Sequence, residues 1–175
     1  MSERPMPLMM RKLRAQEACA SDHSAENDKS PEPFRRAYCF FYGTLMDPDT
    51  LSRVLKLPKT QTPPVMRRAR VVGYEVKLWG PYPALRDKPL NPVNGMAYEV
   101  LSQTQFDQLA AYETGKYCSS LCFIDLLNDD DTVRETIAGF TFLWNGEQDE
   151  LREGTFDLKE WKKEKQLRDL YQSLG

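Results

Sequence analysis

The apolar positions change rhythm several times along the chain, and each change marks an element. Residues 37–42, Ala37-Tyr38-Cys39-Phe40-Phe41-Tyr42, are apolar or aromatic without alternation and stop at Gly43. A short run that is apolar on both faces predicts a central, buried strand. Asp47-Pro48 reads as a helix start. Asp47 suits the N-cap, and Pro48 suits the first helical position, where no N–H is required. Leu51, Val54 and Leu55 then repeat at i, i+3, i+4, with Pro58 expected to end the helix and residues 59–64 to form a loop. Residues 66–80 read as an extended ribbon, bulged near Gly73. Pro81, Pro83, Pro89 and Pro92 predict an irregular segment, and residues 95–101 a strand with Met96, Tyr98 and Val100 on one face. Residues 102–113 predict an amphipathic helix opened by a capping box, Ser102-x-x-Gln105. Residues 117–127 and 132–144 read as two strands joined through Asn128-Asp129-Asp130-Asp131, a hairpin signal. The last segment is helical, with Leu167, Leu170, Tyr171 and Leu174 on one stripe expected to pack on the sheet.

Residues 1–36 hold no such rhythm. They mix both charges with Ser, Pro and Met and read as a disordered or loosely docked extension. Residues 37–175 then form one domain. Strands dominate, there is no internal repeat, and the βαβαβ alternation of a parallel sheet is absent. The expected class is α+β, with a closed or strongly curled sheet and helices outside it.

Composition narrows the chemistry more than the fold. The chain has 175 residues, 41% hydrophobic and 29% charged, with a mean hydropathy of −0.61. No apolar run approaches the length of a membrane span. A net charge of −2 gives no electrostatic basis for a dedicated nucleic-acid or anionic-membrane binder. The single histidine, His23, lies in the polar stretch Ser21-Asp22-His23-Ser24. Ser-His-Asp and Cys-His catalysis and the histidine-containing zinc sites all need an oriented imidazole, so they are disfavoured. No C-x-x-C pair occurs, and Cys39, Cys118 and Cys122 read as small core residues of a reducing compartment. The first residues lack a secretory apolar core, and Glu3, Glu17, Asp22 and Glu26 argue against a mitochondrial presequence. A cytoplasmic location is expected.

The sharpest clue is a carboxylate on an apolar stripe. Phe106, Leu109 and Ala110 define the core-facing side of the 102–113 helix, and Glu113 continues it at i+7. Glu113 also falls in the last turn, ahead of Gly115, a C-cap candidate. The macrodipole disfavours negative charge there, and burial disfavours ionisation. A carboxyl so placed suits proton transfer near neutral pH. A frayed helix end, with Glu113 turned to water or paired with Lys116, reads the same way.

A second clue is Tyr42-Gly43-Thr44-Leu45. A buried strand that turns sharply into a helix gathers free N–H donors at one end of the sheet, and such a cluster holds a carboxylate or an oxyanion. A plain tight turn is the alternative. Elsewhere, Tyr82 reads as a pocket wall or a turn aromatic before Pro83, and Trp79 and Trp144 as strand-end packing. Arg67, Arg68 and Arg70 read as a solvated strand edge and Asp129, Asp130 and Asp131 as a hairpin tip.

Phe40-Phe41-Tyr42-Gly43-Thr44-Leu45 resembles the opening signature of the gamma-glutamyl cyclotransferase-like family. Val72-Gly73-Tyr74, Gly80-Pro81-Tyr82-Pro83-Ala84-Leu85, Asn94-Gly95-Met96-Ala97-Tyr98-Glu99-Val100 and Leu109-Ala110-Ala111-Tyr112-Glu113 with Tyr117 follow in the family's order. The gamma-glutamylamine and plant avirulence-induced-gene-like branch is the nearer likeness. The resemblance implies a small mixed β-barrel flanked by helices. It implies release of 5-oxoproline from a small gamma-glutamyl compound without metal or cofactor. It casts Glu113 as the catalytic glutamate, Tyr42, Gly43, Thr44 and Leu45 as the substrate-holding loop, and Tyr117 as a tyrosine beside the carboxylate. Tyr82 joins them as a candidate substrate contact. Family members often carry glycine directly after the glutamate, where this chain has Thr114. A non-catalytic ligand-binding or interaction module on the same fold is the other reading.

Overall fold

The structure is a computed structural model that describes residues 33–174. The reading of residues 1–32, with Cys19 and His23, lies outside the described residues. Five strands form a closed barrel in the order β1-β3-β2-β4-β5. They are β1 (Ala37–Phe41), β2 (Met66–Trp79), β3 (Tyr82–Val100), β4 (Tyr117–Leu127) and β5 (Val133–Trp144). All neighbours are antiparallel except β1 and β5, which close the barrel in parallel through Tyr38↔Gly139, Cys39↔Phe140 and Phe40↔Thr141. Three helices lie outside: α1 (Pro48–Val54), α2 (Gln103–Glu113) and α3 (Leu158–Ser173).

The unbroken apolar run of β1 is explained by two cores, one on each side of it. Phe40 and Tyr42 point into one cluster with Val71, Tyr74, Leu85 and Ile124. Cys39 and Phe41 point into the other, which takes Leu51 of α1, its C-cap Leu55, and Leu109 of α2. Burial of a leucine such as Leu109, fully inaccessible here, contributes about 1.5–3 kcal/mol. The apolar stripes of α1 and α2 therefore dock both helices against the same end of β1. The described cysteines divide: Cys39 and Cys122 are buried thiols, whereas Cys118 is half-buried and disulfide-bonded, so the core-thiol reading does not hold for it.

Local signals behave as their chemistry dictates, with instructive departures. Asp47 caps α1 by accepting from the Thr50 N–H at 3.1 Å and the Thr50 hydroxyl at 2.8 Å. Its other oxygen accepts from Lys162 Nζ of α3 at 2.7 Å. Burial alone would raise the Asp47 carboxyl, but the hydrogen bonds from Lys162 and Thr50 outweigh it and hold it below its usual value. Helix α1 ends before Pro58: Lys56 turns to φ 52, and the Leu57 N–H reaches back to the Ser52 carbonyl. Ser102 caps α2 by accepting from Gln105 N–H, while Gln105 Oε1 accepts from Leu101 N–H, one residue earlier than a capping box requires.

The proline-rich segment is strand for most of its length and irregular only at 88–91, which the pairing skips and where Leu90 turns to φ 63. Tyr82 through Val100 is one strand, paired with β2 from Trp79↔Tyr82 to Met66↔Tyr98, with a register shift between Val72 and Tyr74. Strand β1 pairs only with Met96–Val100 of it, so the prolines lie along an open edge where a missing N–H breaks no ladder bond. Arg67 and Arg68 are exposed on β2, as a solvated edge requires, while Arg67 and Arg70 each also face a carboxylate, Glu135 at 3.8 Å and Asp125 at 3.6 Å. Arg68 bonds Asp131 and the Asp129 carbonyl at the β4–β5 hairpin tip. The stripe on α3 does not pack on the barrel. Leu167, Leu170, Tyr171 and Leu174 are all more than half exposed, and Trp161 alone on that helix is buried. Among the described residues no helix is long and apolar enough to cross a membrane.

Candidate active site

Strand β1 delivers the chain to the open end of the barrel, where Gly43 leads into a short turn over Thr44–Met46. Gly43 has a negative φ, so no left-handed turn calls for glycine there. Space does: an added Cβ would lie 2.6 Å from Pro83 Cγ. The close approach of β1 to the start of β3 thus depends on that residue. The first hydrogen bonds of the turn run from Met46 and Asp47 to the Gly43 and Thr44 carbonyls. The N–H groups of Thr44 and Leu45 precede them and have no intrahelical acceptor.

Helix α2 approaches the same place from outside. Its last residue, Glu113, is part-buried, and burial pushes its carboxyl up to about 7. Among the described residues no donor bonds that carboxyl. Lys116, the natural surface partner, instead pairs with Glu150 at 2.9 Å and lies over the rings of Trp79 and Trp144. The helix does not end on Gly115. Thr114 takes the positive-φ position, at φ 64 and ψ 179, a region that a β-branched residue rarely enters.

A cavity of about 260 Å³ joins these parts. Tyr42, Gly43, Thr44, Leu45, Tyr82, Glu113 and Tyr117 all line it, so the structure brings every candidate residue to one place. Their hydroxyls are not equivalent. Tyr42 is committed to the fold: it donates to the Phe142 carbonyl at 2.6 Å and accepts from Leu85 N–H at 3.3 Å. Tyr117 donates to the Pro83 carbonyl at 3.0 Å and keeps acceptor capacity. Burial and the neighbouring Glu113 charge raise both phenols, so neither ionises near neutral pH. The Tyr82 peptide bond to Pro83 is trans, and the ring of Tyr82 is part of the cavity rim, 41% exposed.

Two wall residues escape a stripe reading. Tyr112 hydrogen-bonds Thr44 Oγ1 at 2.8 Å and lines the cavity beside Glu113. It was visible in the Leu109-Ala110-Ala111-Tyr112-Glu113 segment, but helical spacing turns it from the core. Trp79 also lines the cavity, its ring 5.2 Å from that of Trp144 and 6.5 Å from that of Tyr82. The signal for it was Gly80-Pro81, a two-residue hairpin turn with Gly80 at φ 58, which sets Trp79 opposite Tyr82. No group of three or more metal-ligating side chains occurs among the described residues.

The barrel, its outer helices and the cavity at the end of β1 define a family already known. The sequence model described as "Gamma-glutamyl cyclotransferase, AIG2-like" matches residues 39–163. The chain belongs to that family. No relative is found among curated protein sequences. Solved structures agree on the fold. The Arabidopsis thaliana protein At3g28950.1 is 21% identical with a TM-score of 0.58, covering 83% of this chain and 86% of its own. Another Arabidopsis thaliana protein, At5g39720.1, is 22% identical with a TM-score of 0.54, covering 79% and 89%. An AIG2-like protein from Mus musculus is 18% identical with a TM-score of 0.53, covering 71% and 88%.

Proposed function

We propose that this protein is a gamma-glutamyl cyclotransferase in action as well as in family. In this reading it releases 5-oxoproline from a small gamma-glutamyl compound, with Glu113 moving the protons. The supporting observation is a carboxyl that no donor among the described residues bonds, raised to about 7, in the same cavity as the Gly43–Leu45 turn. At neutral pH such a group populates both protonation states, as one residue must if it serves as base and then acid.

The chemistry needs little else. The substrate's own α-amine attacks its γ-carbonyl carbon, a new C–N bond closes the ring, and the old amide C–N bond breaks. Glu113 takes the proton that the attacking amine loses and returns it to the leaving nitrogen. No water is consumed. Because nucleophile and electrophile belong to one molecule, holding the glutamyl chain bent supplies most of the rate advantage. Thr44 and Leu45 N–H groups suit the developing oxyanion or the α-carboxylate. Tyr117 and Tyr82 are the aromatic walls against which the chain bends. A binding module without catalysis is less well supported, because Glu113 lines the cavity instead of facing solvent.

The test is 5-oxoproline release from a panel of gamma-glutamyl amino acids, peptides and amines by the wild-type protein and Glu113→Gln. Wild type releases it and the variant falls by at least about a thousandfold, in line with loss of a group that both takes and gives the proton. Undiminished activity in Glu113→Gln removes Glu113 from the mechanism.

A further inference from the structure

Glu113 has a cation three residues along the chain, Lys116, with which it makes no ion pair. Lys116 Nζ donates to both oxygens of Glu150, at 3.0 and 2.9 Å. It also stands over two indole rings, 5.7 Å from the centre of Trp79 and 5.6 Å from that of Trp144. Trp79 lines the Glu113 cavity, whereas Lys116 is not among the lining residues. The ammonium thus rests against a wall of the site without entering it. The segment that carries Glu150 is held at both ends. At its start, Asn145 N–H donates to the Lys116 carbonyl at 2.8 Å, and the Trp144 indole N–H donates to the Glu147 carbonyl at 3.0 Å. At its end, Leu78 and Arg152 exchange two backbone hydrogen bonds of 2.9 Å, and Arg152 Nη2 donates to the Gly80 carbonyl at 3.0 Å. Gln148–Glu150 make a short helical turn between these anchors. A backbone fixed on both sides lowers the entropy lost when Glu150 pairs with Lys116, the term that leaves most exposed ion pairs weak.

We propose that Glu150 is a positioning residue for Glu113: it seats Lys116 on the indole rings and so keeps that lysine from pairing with the site carboxyl. Among the described residues, the titratable groups that line the cavity with Glu113 are Tyr42, Tyr82, Tyr112 and Tyr117, none of them a cation. Cys39 of β1 lies close enough to feel the Glu113 charge. From α1, Arg53 approaches Tyr112 and donates to Thr50 Oγ1 at 3.2 Å. Burial is therefore what acts on the Glu113 carboxyl, and a lysine admitted beside it would favour the ionised form instead. For its effect on turnover the proposal rests on the cyclotransferase reading above; the seating of Lys116 does not. With Lys116 diverted, Glu113 can take the proton from the attacking amine and return it to the leaving nitrogen. Paired with Lys116 it would hold the ionised form and return the proton poorly. Glu150 acts only through Lys116 and touches no substrate in this arrangement.

The test follows one NMR signal and one rate profile. The carboxyl carbon of Glu113, assigned by its loss in Glu113→Gln, is titrated in the wild-type protein, in Glu150→Gln, in Glu150→Asp and in Glu150→Gln combined with Lys116→Met. Glu150→Gln is expected to move the Glu113 midpoint to lower pH by about one pH unit, as an adjacent cation does to a carboxylate. Adding Lys116→Met returns the midpoint to the wild-type value, because the released cation is gone. Glu150→Asp, which keeps the charge, leaves the midpoint closer to wild type than Glu150→Gln does. The limb of kcat/KM for 5-oxoproline release moves with the midpoint in each variant. An unmoved midpoint in Glu150→Gln overturns the proposal and leaves the cyclotransferase reading intact. So does a shift that persists once Lys116 is removed, since it would come from the displaced segment and not from the lysine. If the midpoint moves as expected but no gamma-glutamyl compound yields 5-oxoproline, the seating of Lys116 stands and the cyclotransferase reading falls.

Discussion

The hydroxyls of Thr44 and Tyr112 meet at 2.8 Å, across 68 residues of chain. This bond ties the turn after β1 to the last turn of α2, one residue before Glu113. It fixes the donor turn and the carboxyl relative to each other without using either. Tyr112→Phe removes it while keeping the ring. The expected result is a fall of roughly tenfold in kcat/KM with a stability loss of only about 1 kcal/mol. Paired kinetics and urea unfolding check it. A loss of stability with unchanged kinetics would make the bond purely structural.

Glu113 carries a pH signature. Its folded value, about 7, lies above the ordinary 4.5, so the native state holds its proton more tightly than the unfolded chain does. Stability contributed by the protonated group is whole below pH 4.5 and is lost as pH rises through about 7. Glu113→Gln escapes that loss. At pH 8 it is expected to be more stable than wild type by about 3 kcal/mol, a difference that closes toward pH 4. Denaturant unfolding at the two pH values measures it, and kcat/KM of the wild type should show a limb near pH 7.

Thr114 holds a backbone conformation suited to glycine. Strain of this kind costs about 1–3 kcal/mol. Its side chain gives back only a long contact, 3.5 Å, from the Lys116 N–H. Thr114→Gly is therefore expected to stabilise the protein by about 1 kcal/mol after the greater entropy of glycine in the unfolded chain is counted. Thermal unfolding decides it, and a lower melting temperature would show that the site draws more from the threonine than its contacts reveal.

Tyr42 separates a wall from a ligand contact. Its hydroxyl satisfies the Phe142 carbonyl and the Leu85 N–H, both buried with it. Tyr42→Phe leaves those groups unpaired, and a loss of about 1–3 kcal/mol follows. KM for a gamma-glutamyl substrate should move less than twofold, because no free hydroxyl is withdrawn from the cavity. A large KM change with intact stability would return Tyr42 to direct substrate binding.

The sequence was informative where one residue's own chemistry decides the structure. The stripe Phe106, Leu109, Ala110, Glu113 held, because a helix has one period and Leu109 had to find the core. The unbroken apolar run at 37–42 held, because only a strand with a core on each side needs it. What failed depended on neighbours that sequence does not display. Pro83 and Pro92 looked like breakers because the pattern cannot show that β1 pairs only with the far end of β3, whereas Pro89 does fall in the stretch that the pairing with β2 skips. Gly115 looked like the cap, yet Thr114 takes the positive-φ position at the end of α2. The α3 stripe read as a docking face, but Leu167, Leu170 and Tyr171 extend past the barrel surface that Trp161 reaches. Within the site, all seven candidate positions share one cavity, while Tyr112 and Trp79 were missed because each arrives through tertiary contact.

The parallel seam between β1 and β5 has a consequence for how the protein comes to exist. It joins the first strand of the barrel to the last, and the Tyr42–Phe142 bond beside it spans 100 residues. Closing so long a loop costs entropy before any local contact repays it, which makes such topologies slow to fold. During synthesis, Gly43, Thr44 and Leu45 emerge early but have no floor beneath them until Phe142 follows. The cavity is consequently among the last features to form, and a chain cut short before β5 should carry Glu113 and its turn with no site between them.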